Sequence, residues 1–177
     1  MVADDAKAAL DLPSSLCLAC GLCCNGVLFK DVELQPDDVS SVLLGHGLQL
    51  TRRAGIQRLA QPCQALEGCS CRIYPERPAR CRQFECLLFK SVAGGQTTLG
   101  QALRIVQRAR RQAARVRQLL AQLGDRDDSV PLSVRFRRMR ARFEGGLEDN
   151  ESVDRFGELT LATHELNVLL SEAFLPG

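Results

Sequence analysis

Between residues 98 and 123, apolar side chains recur at Ala102, Val106, Ala109, Ala113, Val116, Leu120 and Leu123, spaced alternately by four and three. That period places them on one face of a helix of about seven turns, with Gly124 as a natural stop. Two more helices are expected, over 131–143 and over 152–174. In the latter, Leu159, Ala162, Leu166, Leu169 and Leu170 form the apolar stripe.

Upstream of residue 98 the pattern is shorter and more broken. A short helix is expected over residues 3–10, ended by Pro13. The stretch 17–24 holds four cysteines and a glycine and reads as an irregular loop. Residues 27–34 alternate and contain β-branched side chains, which suits a strand. Pro36, Asp37 and Asp38 then look like the start of a helix running from Val39 to Leu44, closed by Gly45 and Gly47. Residues 48–61 read as a strand or hairpin with Gly55 as turn or bulge. A helix beginning near Ala79 would carry Cys81, Phe84 and Leu88 on related faces. Together these elements predict an α+β, mostly helical chain. Residues 1–90 form a small cysteine-rich lobe with short strands, and 91–177 form a helical hairpin or bundle packed on it as one compact unit.

Composition supports a real core, since 45% of the residues are hydrophobic. Two aspartates stand near the N-terminus where a secretory signal needs positive charge, and no apolar run reaches the length of a membrane span. A cytoplasmic protein is expected, with no membrane partner. In that compartment nine cysteines must stay reduced or be occupied, and nine is an odd number for a disulfide framework. All nine lie between Cys17 and Cys86, which shifts the expectation from disulfides to metal.

Thiolate capture of a metal requires sulfurs gathered around one centre, with bonds of about 2.3 Å for zinc. Cys17, Cys20 and Cys23 repeat the Cys-x-x-Cys step twice, and Gly21 permits the tight backbone that follows Cys20. The same spacing serves a zinc knuckle and the first three ligands of a bacterial ferredoxin run, so it does not choose between zinc and iron. Adjacent Cys23 and Cys24 are expected to point to different centres. Cys63, Cys69, Cys71, Cys81 and Cys86 then supply enough sulfur to complete two four-thiolate shells with one cysteine over, and Cys69 is the candidate spare. The expected ligands are therefore Cys17, Cys20, Cys23, Cys24, Cys63, Cys71, Cys81 and Cys86. They would hold Zn²⁺ or iron, including a four-iron four-sulfur cluster. Each shell would carry a charge of about −2, and Arg72, Arg77, Arg80 and Arg82 are placed to offset it. Tyr74 and Phe84 read as packing beneath the site, and His46 and His164 as bystanders.

The order Cys17-x-x-Cys20-Gly21-x-Cys23-Cys24, then Pro62-Cys63, then Cys71-x-Ile73-Tyr74-x-x-Arg77-Pro78-x-x-Cys81-Arg82-x-Phe84-x-Cys86 resembles the YkgJ-type cysteine cluster proteins. These are described as zinc- or iron-chelating domains of the CxxCxxCC type, and a related motif occurs in flagellin lysine N-methylases. The resemblance spans about 70 residues. It implies the same eight cysteines as motif positions, with Cys69 extra, and it says nothing about the last 90 residues.

Charge is segregated: residues 1–90 are neutral, 91–142 carry twelve basic against three acidic residues, and 143–177 carry one against eight. Twenty of the 23 basic residues are arginine. The acids Glu144, Glu148, Asp149, Glu151, Asp154, Glu158, Glu165 and Glu172 are expected to neutralise most of the arginines internally. Nucleic acid is not expected, because no aromatic residue interleaves with the arginines between 98 and 134. No paired catalytic carboxylates, activated nucleophile or nucleotide loop stands out, so the first expectation is a metal-binding protein rather than an enzyme. Two alternatives stand beside it. One is a cluster-dependent enzyme related to the flagellin methylases, and the other is a zinc-stabilised interaction module that meets a protein partner through its arginine-rich helices.

Overall fold

The computed structural model describes residues 12–146 and 149–175; the helix expected over residues 3–10 lies outside them. The fold is α+β and mostly helical. Helix α1 runs over Leu12–Cys20, with Pro13 in its first turn, where a missing N–H costs no hydrogen bond. The expected irregular loop over 17–24 is corrected accordingly. Cys17 and Cys20 ride on α1, and the chain turns only at Gly21, which adopts φ +69°. The N–H groups of Cys24 and Asn25 both donate to the Gly21 carbonyl, at 3.1 Å each.

The strand expected over 27–34 contracts to β1, Asp31–Glu33. It pairs antiparallel with β3, Ile56–Ala60, which also pairs with β2, Leu50–Arg53, so that Leu59 stands opposite both Val32 and Leu50. The β2–β3 turn is the two residues Ala54 and Gly55, both at positive φ, the backbone a tight hairpin demands. Arg58 on β3 clamps Asp31 and Glu33 on β1 at 2.8 and 2.9 Å. Helix α2, Ser40–Gly45, starts later than expected, with Val39 at its N-cap. Asp38 does other work: its carboxylate accepts from Gln35 N–H and from Ala79 N–H, each at 2.8 Å, tying this segment to the start of a distant helix. A second hairpin, β4 at Leu66–Glu67 and β5 at Ser70–Cys71, turns through Gly68 and Cys69.

The single helix expected from Ala79 is two helices, α3 at Ala79–Gln83 and α4 at Leu87–Ala93. Between them Phe84 and Cys86 are extended, and Cys86 caps α4 by accepting from Phe89 N–H at 3.3 Å. Cys81 and Cys86 therefore stand on separate elements.

Helix α5, Leu99–Gln122, opens with a reciprocal capping box between Thr98 and Gln101. Every residue of its expected stripe is buried, from Ala102 through Leu123. Helices α6, Leu132–Glu144, and α7, Asn150–Ala173, follow, and the α7 stripe from Leu159 to Leu170 is buried as expected. Alanines at 102, 109 and 113 keep the α5 face flat enough for close helix approach. It packs against α7, and α1 packs on α5 and α4.

Two apolar cores result. The larger joins the three long helices to Leu16, Leu22, Val27, Leu88 and Val92 from the cysteine-rich part. The smaller holds Leu34, Leu43, Leu48, Leu59, Ala65 and Ile73 between the strands and α2. Gly26 links the ligand turn to α6: its carbonyl accepts from Leu132 N–H at 2.9 Å, and a Cβ there would stand 3.1 Å from Pro62 and 3.2 Å from Pro131.

The expected pairing of arginines with the C-terminal acids does not describe α5. Among the described residues its arginines meet no carboxylate. Arg110 donates to the Ala19 carbonyl and Arg117 to that of Asn25, both at 3.3 Å, covering the carbonyls where α1 ends and its turn begins. Arg135 on α6 is buried between Asp125 and Asp128, which precede the C-terminal segment.

Candidate metal centre

The nine cysteines arrive from six places. Cys17 and Cys20 come from α1, Cys23 and Cys24 from the turn after it, and Cys63 from the segment after β3. Cys69 and Cys71 come from the β4–β5 hairpin, Cys81 from α3 and Cys86 from the cap of α4. Eight of them line one cavity of about 250 Å³: Cys17, Cys20, Cys23, Cys24, Cys69, Cys71, Cys81 and Cys86. Cys63 lies outside its wall but is pinned to the ligand turn, donating its N–H to the Cys24 carbonyl at 2.8 Å. Cys69, the expected spare, is a wall residue. None of the nine is in a disulfide.

Burial is the leading influence on six of these thiols. It pushes Cys20, Cys24 and Cys81 up to about 12 and also raises Cys23, Cys63 and Cys86. Without a cation these six favour the protonated form, and a metal must displace their protons to bind. Smaller contributions, from neighbouring sulfur charges, show which thiols stand together. Cys20 feels Cys86, Cys17 and Cys69; Cys23 feels Cys20, Cys24, Cys86 and Cys17. Cys24 feels Cys63 and Cys71 most, and Cys81 feels Cys24, Cys63 and Cys71. The leading sulfur influence is thus Cys20 on Cys23 and Cys63 on Cys24, while Cys24 also acts on Cys23 and Cys17 acts on both. Among the described residues no three His, Cys, Asp or Glu side chains are gathered as placed so that they could hold a metal ion; each cysteine of the cavity wall has a single χ1 torsion with three staggered positions by which its sulfur can be brought in.

Positive charge borders the cavity. Arg77 and Arg82 line it, and Arg77 opposes the upward shift of Cys24 and Cys81. Arg82 donates to the Arg77 carbonyl at 2.6 Å. Arg72 turns toward the His46 carbonyl, at 3.1 Å, and Arg80 is exposed. Tyr74 and Phe84 are half-buried cavity walls rather than core: Arg77 lies 3.6 Å over the Tyr74 ring, and Phe84 meets Phe29 edge-on at 4.9 Å. His46 bonds Glu76 at 2.7 Å and does not line the cavity, and His164 is exposed on α7.

Leu16, Val106 and Phe174 also line the cavity, so α5 and the end of α7 build part of its wall. Sequence reasoning missed that role, and also Arg110, which donates to Cys69 Sγ at 3.0 Å. Only the helical period of α5 offered a signal, since it turns Arg110 away from the outermost line of arginines. A donor set made wholly of thiols, six of them desolvated, with guanidinium groups at its edge suits a thiophilic cation such as zinc or iron.

A family model described as "CxxCxxCC: Putative zinc- or iron-chelating domain" matches residues 16–105. The match runs past the cysteines into α5. No curated protein and no solved structure matches the chain. Among the described residues no helix is long and apolar enough to cross a membrane.

Proposed function

The chain belongs to the CxxCxxCC family of zinc- or iron-chelating domains, and from that premise we propose that it holds two thiolate-ligated centres. The first would use Cys17, Cys20, Cys23 and Cys86, and the second Cys24, Cys63, Cys71 and Cys81. The observation that supports this division is that the sulfur bearing most on Cys23 is Cys20 whereas the sulfur bearing most on its sequence neighbour Cys24 is Cys63. Zinc bound this way supplies a cross-link with no open position, whereas an iron–sulfur cluster supplies one-electron transfer. In either case the residues do the same work. Burial excludes water, and Arg77 and Arg82 offset the negative charge of the thiolates. Reduced thiols require a reducing compartment, which fits a cytoplasmic location.

Anaerobic purification with metal analysis and a visible spectrum tests this reading. A colourless chain with about two zinc ions, or a brown one with iron and acid-labile sulfide, is the expected result. A folded chain holding neither metal removes the proposal.

One observation favours a second role for the helical part, as a platform for an acidic protein partner. Arg104, Arg108, Arg111 and Arg115 follow spacings of four, three and four along an exposed line of α5, and none has a partner among the described residues. Reversing Arg108 and Arg111 to Glu is expected to weaken binding to polyglutamate at least tenfold, roughly the loss of two desolvated charge contacts. The same reversal at exposed Arg137 and Arg138 should change it little. Equal losses from the two pairs would reduce the effect to net charge.

A further inference from the structure

Cys69 is one thiol more than two four-sulfur shells require, yet it is built into the cavity. It sits with Gly68 in the two-residue turn of the β4–β5 hairpin. Two contacts place it beside Cys20, in the first group of thiols. The hairpin tip rests on Gly21, directly after Cys20: a Cβ at Gly21 would lie 3.3 Å from Cys69 Cα and 3.7 Å from its Sγ. With φ at +69° as well, glycine is the residue that lets the tip come this close. Finally, one nitrogen of Arg110 donates both to Cys69 Sγ at 3.0 Å and to the Ala19 carbonyl at 3.3 Å, tethering the thiol to the end of α1 that carries Cys20.

Cys17 is the one exposed cysteine of the nine, the other eight being at least partly covered. The first group therefore has a thiol on the solvent side and a guanidinium-held thiol on the hairpin side, both beside Cys20. Four-coordinate ligation has room for only one of them once Cys20, Cys23 and Cys86 are engaged. We propose that Cys17 and Cys69 are interchangeable occupants of the fourth position of the first centre, and that their exchange is the route by which a thiophilic metal ion enters and leaves. The inference rests on the two-centre reading above. In the exchange Cys69 gives up its thiol proton as it takes the metal, and Cys17 takes up a proton as it leaves. Charge and electron count are unchanged, and no oxidant is involved. Arg110 is a positioning residue that keeps Cys69 at the cavity edge.

The full chain reconstituted with zinc tests this by stoichiometry and by the rate of zinc transfer to a competing chelator. Cys17→Ser and Cys69→Ser are each expected to keep both zinc ions, because the other thiol fills the position. The double variant loses one ion, as Cys23→Ser does alone. Cys69→Ser and Arg110→Gln are expected to slow transfer of the more labile ion about tenfold, a barrier rise of about 1.4 kcal/mol. Arg110→Gln removes no sulfur, so its rate can be read at full metal content. Loss of an ion from Cys17→Ser alone, or full retention by the double variant, overturns the exchange. A wild-type chain that binds fewer than two zinc ions overturns the two-centre reading beneath it.

Discussion

Stripping the metal is expected to unfold the stretch from Asp31 to Cys86 while α5, α6 and α7 remain helical. The reason is the unequal division of apolar burial. Twenty-one buried residues bind the long helices to α1 and α4, whereas the strands, α2 and the loops between them share six. A core of six side chains, one of them alanine, is small for a stretch of more than fifty residues. Thiolate ligation supplements it, since structural zinc contributes about 10–16 kcal/mol in small domains at neutral pH. The proposed ligands also span the places where this region must be held, from the α1 turn to β5, α3 and α4. Hydrogen exchange with and without chelator is the measurement. Protection should vanish between Asp31 and Cys86 and survive in α5 and α7. Equal loss in both regions, or no loss in either, would show that the metal does not carry this part of the fold.

Replacement of Arg135 by alanine is expected to cost about 3–5 kcal/mol, the penalty for breaking a buried, hydrogen-bonded ion pair. Its side chain is 1% exposed. The guanidinium donates through Nε to Asp125 at 2.9 Å and through Nη2 to the Asp125 carbonyl at 2.8 Å, and it also pairs with Asp128. This clamp fastens the loop after α5 to α6. Alanine would leave the 14%-exposed Asp125 carboxylate without its cation and open a void between the helices. For a chain of this size, thermal unfolding should fall by about 10 °C. Methionine, which restores volume but no charge, should recover part of that loss. Asp128→Asn should cost under about 1 kcal/mol, because Asp128 is 73% exposed and its pairing is screened. A melting shift at Arg135→Ala no larger than at exposed Arg137→Ala would refute the clamp.

The elements legible in the sequence are those whose pattern is local and long. The α5 stripe from Ala102 to Leu123 repeats for six turns, enough to decide both helix and buried face. The Ala54–Gly55 turn could be placed because glycine at positive φ is a local demand. Misplacements occurred where a distant contact overrides local preference. Residues 17–24 look irregular from their glycine and cysteine content, yet Leu16 is buried against the α5 core and draws Cys17 and Cys20 into a helix. Residues 79–88 have helical spacing throughout, but Phe84 turns to meet Phe29 and Cys86 becomes a cap, so the helix breaks between two cysteines. Arg135 shares the composition of its exposed neighbours Arg137 and Arg138. Only the loop bearing Asp125 and Asp128 distinguishes it.

By itself the sequence determined the family, the mostly helical α+β class, the buried faces of α5 and α7, and the cysteines as the chemistry of the chain. These follow from short-range spacing, which survives in one dimension. The tertiary structure alone decided which thiols are neighbours, that Cys69 faces the cavity while Cys63 stands outside its wall, and that Arg110 and Phe174 from the helical part help build the site. Those relations depend on where a hairpin tip and two helix ends come to rest. Packing between segments separated by tens of residues sets those positions, and no periodicity along the chain encodes them.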